Sequence, residues 1–307
     1  MWESEELLEY LAELPADESD VTSGAEAPHP VSAAVHQPAR LDPFAPYPAA
    51  YEERYQASQT QEIPVVRIPA QPSGPYAGEK EKWFKDWYAE NRDSKEDDVF
   101  AFAFQYVAGA PQKKDGQGIA FRGDANFGPL NTSGAEGGDL RLEQSDFYDY
   151  LGVPYPFRDG ATGSPEAMRA RSLDCSGYLR MVLGYRARYP LMSSDKSGDG
   201  LPRTANDMAR SKRGVDVLPL TGVSVKDRPS AIDQLQPGDL VFFKLDARTN
   251  ERLDHVGMVL GYDTEGHLIF VSSREEVNGP TIGDIGGASR LDGNGYYAKT
   301  LRSAKRL

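Results

Sequence analysis

The chain has 307 residues, of which 39% are hydrophobic and 26% charged, and a net charge of −13. That is enough for one or two globular domains. No run approaches the ~20 apolar residues of a membrane-spanning helix, and a chain this acidic lacks the basic footprint of non-specific nucleic-acid binding. One cysteine excludes an internal disulfide framework and a multi-cysteine metal site, and leaves a lone thiol.

The first residues, Met1 to Glu6, are acidic, with no basic and then apolar stretch of the kind a secretory signal shows. The expectation is a chain that is cytoplasmic as made. Residues 1–70 carry thirteen Asp/Glu against three Arg, and eleven of the 22 prolines fall at or before Pro75. Trp2, Leu7, Leu8, Leu11 and Leu14 form one apolar stripe on a short helix over 2–14, ended by Pro15. From Asp17 to Pro75 the composition is that of a flexible linker. The leader, 1–75, reads either as a docking segment for a delivery partner or as a solubilising tail.

Tyr76 to Arg92 is helical in composition, with Trp83, Phe84, Trp87 and Tyr88 on one face. An apolar run follows at Val99–Val107, then a Gly-rich loop region over 109–138, so 76–144 reads as an extension packed on the body. Ser145 is placed to cap a short helix to Leu151, broken by Gly152-Val153-Pro154-Tyr155. Asp174 to Tyr185 and Thr204 to Ser211 read as helices. Leu240–Phe243 and Val256–Tyr262 read as strands, with a turn at 263–266 and a returning strand over His267–Ser273. Gly295–Arg302 reads as a closing strand. Helices followed by an antiparallel sheet indicate an α+β fold over 145–307.

Cys175 stands where a helix starts. Free N–H groups and the positive end of the helix dipole stabilise a thiolate there, which predicts a lowered thiol pKa; the alternative is a buried structural cysteine. A thiolate nucleophile wants an imidazole, and the body has two. His255 opens an apolar strand, and Gly257, two residues on along the same face, leaves room beside the ring. His267 starts the returning strand. Asp195 to Gly200 has the look of a calcium loop, but Asn206 stands where the terminal Glu is needed. No metal and no cofactor are expected.

Taken in order, Gly152-Val-Pro-Tyr155, Asp174-Cys-Ser-Gly177, Gln236-Pro-Gly-Asp-Leu-Val-Phe-Phe243 and His255-Val-Gly-Met-Val-Leu-Gly261 resemble the NlpC family of papain-like cysteine peptidases, which cleave bacterial cell-wall peptides. The resemblance covers about Ser145 to Arg302. It implies a helical subdomain carrying the nucleophile, packed on a curved antiparallel sheet carrying the histidine. It implies Cys175 as nucleophile and His255 as its partner in a thiolate–imidazolium pair, acting on a γ-D-glutamyl–diamino-acid bond. Tyr155, Asp174 and Ser176 would shape the pocket and meet the peptide's free amine. The third catalytic position departs from the family's usual His, Asn or Gln. Folding the hairpin about Thr264–Glu265 puts Val271 and Ser272 opposite Met258 and Gly257, which favours Ser272 over His267 as the orienter of the imidazole. A water or a backbone carbonyl could also serve. Amidase or acyl-transfer chemistry on the same fold, and a peptide-binding module without catalysis, remain alternatives. A cell-wall substrate places the action outside the cytoplasm, so non-classical delivery or release is expected.

Overall fold

The computed structural model describes residues 98–132, 140–195, 198–262, 266–282 and 289–307. The stripe at 2–14, the linker to Pro75, the aromatic face of 76–92 and the turn residues 263–265 lie outside the described residues.

Six strands form one antiparallel sheet: β5 (Val215–Leu218), β6 (Leu240–Phe243), β7 (His255–Tyr262), β8 (Leu268–Arg274), β9 (Gly279–Thr281) and β10 (Leu301–Arg306), in the order β5-β10-β6-β7-β8-β9. The strands alternate with period two, so each face buries its own apolar set. Leu240 and Phe242 of β6 join Val256, Met258, Leu260 and Val271 in a core beneath the helices. Val241 and Phe243 join Val259, Leu268 and Phe270 in a second core on the opposite face. With both faces covered, β6 and most of β7 are fully buried, which is why they read as unbroken apolar runs. Two short hairpins stand outside the sheet: β1 (Lys113–Lys114) with β2 (Ala120–Arg122), and β3 (Tyr155–Pro156) with β4 (Thr162–Gly163).

The helical layer is made of short pieces: α1 (Val99–Phe104), α2 (Phe147–Leu151), α3 (Cys175–Leu179) and α4 (Ala205–Arg210). α3 runs straight into a π-helical segment, Arg180–Arg186, and packs against β7 and β8. The Tyr178 hydroxyl donates to the Ala103 carbonyl (2.9 Å), which ties α3 to the end of α1.

Two expectations are corrected. Ser145 does not cap α2; Asp146 does, in a capping box with Asp149, whose carboxylate accepts from the Asp146 N–H (2.8 Å). An ionised carboxylate one residue further on is also the partner of Arg180, so it fills two roles that a hydroxyl could not. The segment 295–302 is not one strand. Tyr296–Thr300 is a helix, α5, and the strand begins only at Leu301. The Tyr-Tyr and Thr of this segment favour a strand locally, but Tyr297 is buried against Phe243 and Phe270, and that packing overrides propensity.

Gly177 shows how tightly the helix start is pressed into the body. A Cβ there would run into the Ser145 carbonyl oxygen and stand 3.0 Å from Asp146 Cα, both backbone atoms that cannot rotate away. Gly177→Ala is therefore expected to destabilise the protein by about 1–3 kcal/mol, read as a lower urea midpoint at unchanged slope. An unchanged midpoint would show that the helix start has slack.

Candidate active site

Cys175 is the first residue of α3, and Asp174 is its N-cap, its carboxylate accepting from the Gly177 N–H (2.7 Å). The residue before the cap is anchored from both sides: the Leu173 N–H donates to the Asn126 carbonyl (2.7 Å), and Ser273 Oγ of β8 donates to the Leu173 carbonyl (2.5 Å). The sulfur thus has a fixed place against the sheet. Cys175 is 5% exposed. Its thiol donates to the Asp254 carbonyl (Sγ to O 3.9 Å), and the Val256 N–H is directed at the sulfur. These two backbone groups flank His255, so the Cys175 sulfur lies against the backbone at the start of β7.

His255 opens β7, and its Nε2 lies 3.1 Å from Ser272 Oγ on β8. The ring sits between Phe243 and Tyr297, with centroids 5.8 and 5.9 Å away. The space beside Gly257 is not open, as the sequence suggested; the Phe270 ring fills it. Ser272 is itself held by a cation, since Arg274 Nε donates to Ser272 Oγ (2.8 Å). Arg274 Nη2 donates to Ser289 Oγ (2.6 Å), and its guanidinium lies over the Tyr297 and Phe270 rings at 4.2 and 4.9 Å. With Nε2 occupied by Ser272, Nδ1 is the ring nitrogen left for proton transfer. His267 is elsewhere: its Nδ1 is 2.6 Å from Asp292 Oδ2, at the far end of β8.

Asp174 and Ser176 belong to a buried ionic cluster. Arg203 Nη2 and Nη1 reach the two Asp174 oxygens (2.6 and 3.3 Å), and Nη1 also donates to Ser176 Oγ (2.6 Å). Arg203 Nε lies 3.5 Å from Asp146 Oδ2, whose carboxylate also takes Arg180 Nε (3.0 Å). Tyr155 lies on β3 among aromatic rings, with centroids 4.7 Å from Phe147 and 5.0 Å from Phe157. These are packing contacts. Among the described residues no group of three or more His, Cys, Asp or Glu is placed to hold a metal, and no helix is long and apolar enough to cross a membrane.

The sequence model of the NlpC/P60 family matches residues 152–305, half of the chain. The chain belongs to the NlpC/P60 family. It is similar to an NlpC/P60 family protein from Bacillus cereus, with 23% identity over 51% of this chain and 36% of that one and a TM-score of 0.27. It is also similar to a Staphylococcus aureus protein described as similar to a lipoprotein of the NLP/P60 family, with 22% identity over 52% of this chain and 38% of the other and a TM-score of 0.28. The chain therefore spans little more than a third of those structures' length. No curated protein matches it significantly. NlpC/P60 proteins are generally cysteine peptidases acting on cell-wall peptides.

The charge state of this NlpC/P60 site differs from the sequence expectation. Burial pushes the Cys175 thiol up rather than down, and the nearby Asp174 and Glu143 carboxylates add to the shift; the Val256 N–H and Arg203 oppose it. Burial likewise lowers His255 to about 3, assisted by Arg274 and opposed by Asp174. The free protein thus holds a neutral thiol and a neutral imidazole, because a helix start this deeply covered loses more in desolvation than the dipole returns.

A stability consequence follows from His255. Its folded pKa lies below the unfolded value, so below about pH 6.5 the unfolded chain takes up the proton that the folded chain refuses. The contribution is present above that pH and falls away as pH drops toward 3. The urea midpoint is expected to fall over this window and to fall less steeply in His255→Gln. Parallel profiles would contradict the buried neutral histidine.

Arg274, which holds Ser272 Oγ, and Arg203, which pairs with Asp174, are the neighbours of the candidate site that sequence reasoning missed. Arg274 left a signal, since it stands two residues after Ser272 on the same strand face. Arg203 left none.

Proposed function

We propose that this chain is a cysteine peptidase that hydrolyses peptidoglycan stem peptides, at the γ-D-glutamyl–diamino-acid bond, through an acyl-enzyme on Cys175. The observation that carries this reading is the meeting of the Cys175 helix start with the first residue of β7, whose imidazole Nε2 is taken up by Ser272 Oγ at 3.1 Å.

The chemistry is assigned to the residues as follows. The resting pair is neutral, so the Cys175 proton passes to His255 Nδ1 as the sulfur attacks the scissile carbonyl. For Nδ1 to act as base, Nε2 keeps its hydrogen and donates it to Ser272, which accepts a second hydrogen bond from Arg274. Ser272 fixes the tautomer and the ring plane; Phe243 and Tyr297 restrict its tilt. The oxyanion is held by the Cys175 backbone N–H at the open end of α3. Imidazolium Nδ1 then protonates the leaving amine, and water, deprotonated by the same nitrogen, resolves the thioester.

Incubating the protein with purified peptidoglycan and soluble stem peptides, with products read by mass spectrometry, tests the reading. The expected result is a fragment pair from one amide bond that is absent with Cys175→Ala. Intact peptides after exhaustive incubation with the wild type would overturn it. Ser272→Ala is expected to lower kcat about tenfold to hundredfold, the usual cost of losing an orienting partner, with little change in KM. An unchanged kcat would remove Ser272 from the mechanism.

A further inference from the structure

A serine hydroxyl is a weak partner for an imidazole by itself, since its hydrogen rotates to suit any neighbour. In this site the hydroxyl is not left to itself. Ser272 is fully buried, so water does not compete for it. Its oxygen lies 3.1 Å from His255 Nε2 and 2.8 Å from Arg274 Nε. A guanidinium only donates, so one lone pair of Oγ belongs to Arg274 whatever the ring does.

Arg274 is as fixed as the hydroxyl it holds. It is buried, and its Nη2 donates to Ser289 Oγ (2.6 Å). Ser289 is pinned alongside β8 in turn, its carbonyl accepting from the Phe270 N–H (3.1 Å). The guanidinium lies 4.2 Å over the Tyr297 ring, and the same ring lies 5.9 Å from the imidazole. Arg274 thus reaches His255 by two routes, through Ser272 and through Tyr297. Protonating His255 puts a second cationic N–H on the one oxygen that Arg274 already holds. Burial of both side chains keeps water from screening the two charges.

Two carboxylates bear on the same position. Asp174, at the N-cap of α3, favours the protonated ring, but both of its oxygens are gripped by Arg203 (2.6 and 3.3 Å). Asp254, the neighbour of His255 in sequence, turns its carboxylate to the Leu245 and Asp246 N–H groups (2.7 and 2.9 Å), with Lys244 Nζ 3.6 Å away. From β6 and α5 the ring meets Phe243 and Tyr297.

We propose that Arg274 is a positioning residue for the His255 base: it fixes Ser272 against Nε2 and, as a buried cation bonded to that hydroxyl, holds the ring neutral in acid until the thiol gives up its proton. This deepens, and rests on, the peptidase reading above. Its consequence is a base that stays available well into the acid range, and an imidazolium that, once formed, passes its proton readily to the leaving amine.

The test reads the ring directly and hydrolysis apart from it. In full-length Cys175→Ala the four histidines are titrated by NMR, and the His255 signal is assigned by its loss in His255→Gln. With Arg274 in place the ring is expected to titrate at about 3. In Arg274→Met the midpoint is expected to rise by about one pH unit or more, because a like charge has gone. Arg274→Gln, neutral but able to hydrogen-bond Ser272, is expected to move it likewise and serves if the Met variant does not fold. Arg274→Lys, which keeps the charge, is expected to leave the midpoint close to the parent's. A midpoint unmoved in the neutral variants, or moved as far by Lys as by Met, would overturn the proposal. Hydrolysis of a stem peptide is then followed against pH in chains that keep Cys175. The acid limb of kcat/KM is expected to shift to higher pH together with the ring midpoint, and kcat rather than KM to carry the loss. A ring that moves in a protein that cleaves nothing would sustain Arg274's hold on His255 while removing the peptidase reading; cleavage with an unmoved ring would do the reverse.

Discussion

Alanine at Cys175 is expected to abolish peptide hydrolysis, a loss of about 10⁴-fold or more, with the fold kept. A nucleophile that forms the covalent intermediate has no substitute in the site, and removing one member of a nucleophile–base unit costs nearly as much as removing the whole unit. The structural cost is small, because only the sulfur is lost and the anchors of this segment, Leu173 on Asn126 and Ser273 and Asp174 on Gly177, are backbone or neighbouring groups. His255→Ala is expected to cost about 10²–10⁴-fold, the range for a lost general acid–base. Both variants should be compared with the wild type in initial rates and in urea midpoint. More than a few per cent of activity in folded Cys175→Ala would remove the sulfur from the mechanism.

Replacing Asp146 by alanine is expected to cause the largest loss of stability among single substitutions in the ionic cluster. Asp146 and Arg180 are both fully buried, and Arg180 Nε lies 3.0 Å from each Asp146 oxygen. The other anchors of Arg180 are the Leu201 and Pro202 carbonyls (2.9 and 3.2 Å), which are dipoles rather than charges. Without Asp146 the guanidinium stays buried and uncompensated, at a cost of about 3–5 kcal/mol. Loss of the α2 cap adds roughly 1 kcal/mol. Against a total stability of about 5–15 kcal/mol, the variant should be partly unfolded at room temperature. Removing both charges, as in Asp146→Leu with Arg180→Met, should recover much of the loss, because the penalty belongs to the unpaired charge rather than to the missing attraction. Equal destabilisation of the single and double variants would show that hydrogen-bond geometry, not charge, is what the pair supplies.

Much of the sheet was legible because its central strands are covered on both faces. Leu240–Phe243 and the segment to Tyr262 could be written down as strands from their apolar runs alone. The hairpin arithmetic also placed Met258 opposite Val271, the observed partners. It did so although the turn-proximal pairs, Tyr262 with Leu268 and Gly261 with Ile269, follow a register one residue off, corrected by an irregularity between Val259 and Gly261. The positions of Cys175 at a helix start and His255 at a strand start were legible because each leaves a local mark. The charge state of the thiol was not legible, since it depends on how much protein covers the helix start, which no local pattern encodes. Nor was the Asp174–Arg203 pair. Its members are 29 residues apart, and Arg203 sits in the stretch that lengthens the Cys-to-His spacing, where nothing in the neighbouring residues marks it as a partner of the N-cap. The helix at Tyr296–Thr300 was misread because its residues favour a strand and only the buried Tyr297 decides otherwise.

The central claim is that Cys175 attacks the scissile carbonyl with His255 as its base. Mixing the wild-type protein with a stem peptide, quenching in acid within milliseconds to seconds, and weighing the intact protein and its Cys175-bearing fragment tests this most directly. The account predicts a transient mass gain equal to the acyl half of the peptide, confined to that fragment, formed slowly in His255→Ala and never in Cys175→Ala. Steady product release with no adduct at any time, and equal release by Cys175→Ala, would contradict it.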